Sequence, residues 1–123
     1  MNILLVDDDT ELCQIIREFL EKRNHTVTAV TNGLKALLYL DDKIDLLISD
    51  IQMPGISGIE LLRTTRERFP KLPVILITAH SSFDTPIAAL RNQAYDYLQK
   101  PVQLKELLEI INRINTFRAN HQT

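Results

Sequence analysis

Apolar runs alternate with helix-type patterns five times along the chain, and this alternation decides the predicted fold class. Continuous apolar runs at 2–6, 45–49 and 74–77 predict strands that are covered on both faces. The runs at 26–30 and 95–99 alternate polar and apolar residues, as expected for strands at the edges of a sheet. Repeated strand–helix units predict a parallel sheet between two layers of helices. We therefore predict an α/β fold of three layers, a doubly wound five-stranded parallel sheet with strand order 2-1-3-4-5.

The stretches between these runs have the period of amphipathic helices. Ser57 and Glu60 have the spacing of a capping box at the start of the third helix, and Pro70 should end that helix just before Phe69. We predict that the fourth helix begins within 82–86, where Pro86 fits only a first turn. The apolar stripes of the first, second and last helices are expected to face the core: Leu12, Ile15, Ile16, Phe19 and Leu20; Leu34, Leu37 and Leu38; and Leu104, Leu107, Leu108, Ile111 and Ile114.

Length and composition limit what such a protein can do. With 123 residues, 45% of them apolar, the chain is expected to form one domain over 1–118, and 119–123 are expected to be a polar tail or the start of a linker. A net charge of −2 excludes the basic footprint of a nucleic-acid-binding segment. The apolar runs are too short to cross a membrane. The lone Cys13 is expected to be a packing residue, and with a first strand that begins at Asn2 it predicts a cytoplasmic protein without a signal peptide.

Polar residues stand at the carboxyl ends of four of the predicted strands. Asp7 and Asp8 follow the first strand, Asp50 ends the third, Thr78 ends the fourth and Lys100 follows the fifth. In an open parallel sheet, ligands bind outside the carboxyl ends of the strands, and strands 1 and 3 flank the switch point of the 2-1-3-4-5 order. Each residue taken alone has an ordinary explanation as a helix cap, a turn residue or a surface side chain. Their common position favours a single site.

The chemistry of this set of side chains points to phosphoryl transfer. Asp7, Asp8 and Asp50 would repel one another unless a cation offsets their charge, and Mg²⁺ prefers carboxylate and phosphate oxygens. Lys100 supplies a point charge of the kind that binds phosphate, and Thr78 supplies a hydroxyl donor. An aspartate carboxylate can itself act as the nucleophile and form an aspartyl-phosphate. The sequence therefore predicts a magnesium-dependent phosphoryl acceptor.

The chain resembles the receiver domains of bacterial two-component response regulators over nearly its whole length. The matching stretches are Ile3–Asp8, Asp45–Gly58, Val74–Ala79 and Ala94–Pro101. The resemblance implies that Asp50 is the phosphoacceptor. It also implies a regulatory domain rather than an enzyme, since such a domain promotes only its own phosphotransfer and dephosphorylation.

The same resemblance implies a role for each residue of the site. Asp8, Asp50 and the backbone carbonyl of Gln52 would hold Mg²⁺, with Asp7 acting through water. Lys100 would pair with the phosphoryl group, and the bond between Lys100 and Pro101 would be cis.

Further residues are implicated in switching and in the lifetime of the phosphorylated form. Thr78 and Tyr97 would form the switch pair, in which the hydroxyl turns toward the phosphoryl group and the ring moves inward. Gln52 and His80 would tune dephosphorylation. Gln93 stands where the family usually has glycine, so we expect either a strained backbone at Gln93 or a different local turn.

The implied partners are a sensor histidine kinase or a histidine phosphotransfer protein, and a downstream output domain or effector protein. The surface of the fourth helix, fifth strand and fifth helix would change on phosphorylation to control that output, with transcription regulation as one outcome. The resemblance also allows a homodimer that depends on phosphorylation.

Two other functions fit parts of the pattern. A phosphatase of the haloacid-dehalogenase type also uses an aspartyl-phosphate, and 7–11 nearly fits its nucleophile motif, but Glu11 breaks that motif. An interaction module that works without phosphorylation would not need the acidic pair, Asp50, Thr78 and Lys100 together. A flavin is not supported, because no loop rich in glycine, serine or threonine follows the first strand.

Overall fold

The computed structural model describes residues 1–79 and 94–120, and within these ranges five strands form one parallel sheet. The strands are β1 (Asn2–Val6), β2 (Thr26–Val30), β3 (Leu46–Asp50), β4 (Val74–Thr78) and β5 (Asp96–Gln99). The described helices are α1 (Thr10–Glu21), α2 (Gly33–Tyr39), α3 (Gly58–Arg68) and the C-terminal helix (Leu104–Asn120).

The strand order is β2-β1-β3-β4-β5, and every neighbouring pair is parallel. The predicted fold class, strand order and edge strands are therefore confirmed. The register pairs Val6 with Ser49, Asp50 with Ile77, and Thr78 with Gln99. The carboxyl ends of the strands consequently lie at one edge of the sheet, and β1 and β3 meet at the switch point.

Two apolar clusters cover the two faces of the sheet, as the continuous apolar runs require. Because successive side chains of a strand point to opposite faces, Ile3 and Leu5 join one cluster while Leu4 and Val6 join the other. The first cluster includes α1 and the C-terminal helix through Ile16 and Ile111, and the second includes residues of α2 and α3. Every residue of β3 and β4 is buried, so the strands that carry Asp50 and Thr78 are rigidly packed.

Side-chain caps fix the starts of the first three helices. Asp9, Asn32 and Ser57 each accept a hydrogen bond from the backbone N–H three residues later, which satisfies one of the free donors of the first turn. The predicted cap at Ser57 is confirmed, and so is the end of α3 at Arg68, before Phe69 and Pro70.

Part of the predicted helix packing is wrong. Ile15 is 52% exposed, Leu34 57% and Leu38 84%, although all three were expected to face the core. Helix α1 instead buries a narrower stripe of Cys13, Ile16 and Leu20. Helix α2 spans only seven residues and packs through its small ones, Gly33 and Ala36, so its leucines at 34 and 38 point outward.

Some predictions fall on residues outside the described ranges. These are the start of the fourth helix within 82–86, His80, Gln93 and the last three residues of the tail. The C-terminal helix continues through Asn120, beyond the predicted boundary at 118, and that domain boundary stays a prediction. No helix in the described part of the chain is long and apolar enough to span a membrane.

Candidate functional site

Three carboxylates converge at the carboxyl edge of the sheet, where β1 and β3 end side by side. One carboxylate oxygen from each of Asp7, Asp8 and Asp50 lies within 4.8 Å of the others. Asp7 and Asp50 are buried, whereas Asp8 is exposed to solvent. The exposed Asp8 therefore gives the cluster access to solvent, which suits a ligand that arrives from solution.

Asp7 is a fully buried acid whose hydrogen bonds are incomplete. Its Oδ1 accepts a hydrogen bond from the backbone N–H of Asp9 at 2.9 Å. Its Oδ2 is buried and accepts no hydrogen bond from the described residues, although Nζ of Lys100 lies 3.2 Å away as an ionic partner. Burial raises the pKa of Asp7 to about 6, and the charge of Asp50 adds to this rise, while the Asp9 N–H and Lys100 oppose it.

Lys100 bridges the two buried carboxylates. Its Nζ lies 3.1 Å from Oδ2 of Asp50 and 3.4 Å from Oδ1 of Asp7. Burial by itself lowers the pKa of Lys100, but the hydrogen bonds and charges of Asp50 and Asp7 outweigh burial, and the net pKa is raised. The backbone N–H of Lys100 donates to the carbonyl of Thr78 at 2.7 Å, and the bond to Pro101 is cis, as the family resemblance implied.

The structure also describes three of the other predicted residues, Thr78, Tyr97 and Gln52. Thr78 is buried at the end of β4, the strand next to the one that carries Asp50. Tyr97 lies on β5, pairs with Leu76 in the register and is 40% exposed. Gln52 has an exposed side chain, and its backbone N–H donates to Oδ1 of Asp50 at 3.2 Å.

The side chains present fit a hard divalent cation. Three carboxylates within reach of one another match the oxygen ligands that Mg²⁺ prefers. The buried Oδ2 of Asp7 accepts no hydrogen bond within 1–79 and 94–120, and the pKa of that carboxyl is raised. Both observations indicate a cluster whose negative charge Lys100 only partly offsets. A cation at this edge would remove that repulsion.

Two residues that support the acceptor were not singled out from the sequence. The buried hydroxyl of Ser49 donates to the backbone carbonyl of Asp50 at 2.9 Å. Gly58 begins α3 directly against the same carbonyl. The sequence did hold one sign of the role of Gly58. A glycine directly after the capping Ser57 is unfavourable for helix formation, which points to a close contact that requires the absence of a side chain.

The geometry agrees with what comparison with known proteins finds. A family model described as the response regulator receiver domain matches residues 3–112. This chain belongs to the response regulator receiver family. The receiver domain is 38% identical over 112 residues to the DNA-binding transcriptional regulator NtrC of Escherichia coli (strain K12), which covers 90% of the chain and 24% of NtrC. It therefore spans about a quarter of the length of that relative.

Solved receiver structures share the whole fold. A CheY-like receiver domain protein from Methanospirillum hungatei JF-1 superposes with a TM-score of 0.89 at 27% identity, over 97% of each chain. The beryllofluoride-activated NtrC4 receiver domain dimer matches with a TM-score of 0.86 at 25% identity, over 92% of this chain and 94% of that one. Receiver domains generally bind Mg²⁺ at an acidic pocket, and the cluster of Asp7, Asp8 and Asp50 could hold a metal ion here.

Proposed function

We propose that this receiver domain is a phosphorylation-activated switch of a two-component system, with Asp50 as the phosphoacceptor. The observation that carries the proposal is the Asp50 carboxylate at the end of β3, 3.1 Å from Lys100 and within the cluster of Asp7 and Asp8. An Oδ atom of Asp50 forms a bond to phosphorus while the bond from phosphorus to the donor histidine nitrogen breaks. The electron pair of the broken bond stays on that nitrogen, and the donor leaves as a neutral imidazole with one proton on its ring. The product is an aspartyl-phosphate.

The chain's own residues stabilise the charge that moves in this step. Lys100 already contacts Asp50 and would follow the transferred oxygens as a point charge. Asp8, Asp50 and the backbone carbonyl of Gln52 would hold Mg²⁺, with Asp7 acting through water. When bound, Mg²⁺ neutralises charge on the phosphoryl oxygens. Thr78 would offer its hydroxyl to the phosphoryl group from the neighbouring strand end.

Intact mass after incubation with acetyl phosphate and Mg²⁺ tests the acceptor. We expect the mass to rise by one phosphoryl group, and the gain to be lost in Asp50→Asn. Asp42→Asn is the matched control, because it removes the same charge from an exposed residue away from the cluster, and it should still gain the group. A wild-type protein that gains no phosphoryl group, or an Asp50→Asn variant that gains one, would refute the assignment.

Two further measurements test the two other functions. Repeated turnover of a phosphomonoester such as p-nitrophenyl phosphate would favour a phosphatase, whereas the receiver assignment requires single modification of the protein. Partner binding that is unchanged by acetyl phosphate in both wild type and Asp50→Asn would favour a module that works without phosphorylation.

Thr78 and Tyr97 are the proposed switch pair. Thr78 is buried beside the acceptor strand, and Tyr97 is 40% exposed on the edge strand β5, so an inward movement of its ring would change its solvent exposure. A small charge event at Asp50 would then bias a two-state element. We expect phosphorylation to reduce solvent access to the Tyr97 ring, measured as solvent perturbation of its NMR signals, and Thr78→Ala to reduce that change. A Tyr97 signal unaffected by phosphorylation would contradict the pair.

Gln52 and His80 are proposed to set the lifetime of the phosphorylated form. The side chain of Gln52 is exposed two residues beyond Asp50, where it can affect the approach of water to the acyl phosphate. His80 lies outside the described residues. Replacing either side chain with alanine should change the decay rate of the phosphorylated protein, and unchanged decay in both variants would contradict this role.

The proposed partners follow from the family. A sensor histidine kinase or a histidine phosphotransfer protein would supply the phosphoryl group in the cytoplasm, where we propose that this protein acts. An output domain or effector would bind the surface of the fourth helix, β5 and the C-terminal helix. The similarity to NtrC supports transcription regulation as the output. The activated dimer of the NtrC4 receiver supports a homodimer that depends on phosphorylation.

A further inference from the structure

Gly58 begins α3 in direct contact with the main chain of the phosphoacceptor. A Cβ at this position would overlap the carbonyl oxygen of Asp50 and would lie 2.7 Å from Cα of Ile51 and 2.9 Å from the carbonyl carbon of Asp50. All three atoms belong to the main chain, so none can rotate aside as a side chain would. The N–H of Gly58 also donates to the carbonyl of Ile51 at 2.8 Å. The start of α3 is therefore seated on the peptide that follows Asp50.

The same peptide is held from two further sides. The hydroxyl of Ser49, which is fully buried, donates to the carbonyl of Asp50 at 2.9 Å. The N–H of Ile51 donates to the carbonyl of Ile77 in β4 at 2.8 Å. Because one peptide unit has little freedom once its N–H, its carbonyl and its neighbour are all held, these contacts fix the direction in which Asp50 leaves β3.

We propose that Gly58, together with Ser49, is a positioning residue for phosphoryl transfer to Asp50. Because Gly58 has no Cβ, the backbone carbonyl of Asp50 can lie where a Cβ would otherwise be. The Ser49 hydroxyl holds that carbonyl in this position through a hydrogen bond. A Cβ at 58 would push the Asp50 main chain away from α3. The carboxylate would then move relative to Nζ of Lys100, now at 3.1 Å, and relative to the other two carboxylates. The inference rests on the proposed role of Asp50.

The size of the expected effect follows from how sensitive such geometry is. A misplacement of about 1 Å at reacting atoms costs on the order of 100-fold in rate. Loss of a residue that orients a metal ligand costs roughly 10- to 100-fold in metal affinity. We therefore expect Gly58→Ala to slow phosphorylation by acetyl phosphate at saturating Mg²⁺ by about 100-fold, and to raise the Kd for Mg²⁺ by at least about tenfold.

Gly33→Ala is the matched control. Gly33 is the first residue of α2 and also follows a capping side chain, and a Cβ there would lie 2.5 Å from Cγ1 and 2.8 Å from the carbonyl oxygen of Ile56. Both variants thus add one methyl group at the same helix position against a close neighbour, but only Gly58 adds it against Asp50. The phosphorylation rate and Mg²⁺ affinity of Gly33→Ala, measured by mass spectrometry and calorimetry on protein verified as folded, should stay within about threefold of wild type.

A double-mutant cycle distinguishes positioning from loss of stability. If Gly58 acts by placing Asp50 against Lys100, Lys100→Met should slow phosphorylation much less in the Gly58→Ala background than in wild type. If Gly58 matters only for folding, the two effects should multiply. Multiplicative effects on the rate of the folded protein would therefore overturn the inference.

Ser49→Ala keeps the proposal testable if Gly58→Ala does not fold. This variant removes the hydroxyl from the same carbonyl without adding volume, and we expect it to raise the Kd for Mg²⁺ by about tenfold. Wild-type rate and affinity in Ser49→Ala would overturn the inference in that case, as they would in a folded Gly58→Ala. An unphosphorylated wild type would instead overturn the proposed function itself, so the two failures can be told apart.

Discussion

Asp7 and Asp8 are neighbours in the chain, yet their solvent exposure is opposite. Asp7 is fully buried, whereas Asp8 is exposed, because successive side chains at the end of a strand point in opposite directions. The sequence was sufficient to place both residues at the acidic cluster. It could not show that Asp7 shares Lys100 with Asp50, since that contact depends on ångström-level packing between residues 93 positions apart.

The raised pKa of Asp7 predicts how removing its charge affects stability. Burial raises the pKa of Asp7 from 3.8 to about 6, so above pH 6 the ionised carboxylate lowers the stability of the folded state. This cost disappears below pH 4, because the group is then protonated in both the folded and the unfolded state. Asp7→Asn should therefore raise the free energy of unfolding by about 2 kcal/mol at pH 7.5 without Mg²⁺. Urea titrations at pH 7.5 and pH 4 measure this, and an equal gain at both pH values would contradict it.

Lys100 is predicted to stabilise the fold as well as the site, because it is the partner of two buried carboxylates. Lys100→Met would leave Asp7 and Asp50 without that cation, and breaking a buried ion pair on one side costs about 3 kcal/mol. The loss should be smaller at pH 5, where Asp7 is protonated. Arg113→Met is the control, because the ion pair of Arg113 with Asp96 is exposed and should contribute less than about 1 kcal/mol. Equal losses in the two variants at pH 7.5 would argue against this role.

In helix α2, the spacing of apolar residues was not sufficient to predict which face of the helix is buried. On a helix of seven residues, about two turns, Leu37 lies between the small residues and the other two leucines, and it packs partly against the core while Leu34 and Leu38 are exposed. Gly33 allows close approach to Ile56, so the small residues face inward. Strands with continuous apolar runs, such as β3 and β4, have no such ambiguity because both of their faces are buried, and their predicted order is confirmed with bounds within one residue of those predicted.

The face that α2 buries can be checked with two substitutions on the same helix. Ala36 is fully buried, so Ala36→Leu should overpack the core and lower the free energy of unfolding by about 1–3 kcal/mol. Leu38 is 84% exposed, so Leu38→Ala should change it by less than about 0.5 kcal/mol. Chemical denaturation of both variants gives the comparison. A larger loss for Leu38→Ala than for Ala36→Leu would mean that the helix packs on its leucine face after all.

The whole sheet explains why residues so far apart in sequence act as one site. Lys100 contacts Asp50 across 50 positions and Asp7 across 93, because the 2-1-3-4-5 order places the ends of the relevant strands along one edge. The common position of these residues at one end of the sheet was predictable from strand order, but the contacts of Lys100 with the two carboxylates were not. The support from Ser49 and Gly58 was not predictable either, since it depends on how closely α3 approaches β3. The apolar clusters on both faces keep the strands packed together. The packed strands hold the three carboxylates close to one another despite their mutual repulsion.

Folding and cation binding should therefore be linked across the molecule. A ligand that binds only the folded state, present at 100 times its Kd, stabilises that state by about 2.7 kcal/mol. Mg²⁺ at 100 times its Kd should therefore raise the free energy of unfolding by about 2.7 kcal/mol at pH 7.5. Since Asp7 has a pKa of about 6, protons compete with the cation at lower pH, and the same Mg²⁺ concentration should stabilise the protein less at pH 5.

Urea titrations with and without Mg²⁺ at the two pH values measure this linkage, with a potassium salt added to keep the ionic strength constant. Asp8→Asn should reduce the stabilisation strongly, because it removes a carboxylate of the cluster, whereas Asp42→Asn should retain it. Stabilisation that persists in Asp8→Asn, or that is the same at pH 5 and pH 7.5, would place the cation elsewhere on the protein. Stabilisation that falls with pH and depends on Asp8 would tie the cation to the edge of the sheet where β1 and β3 end.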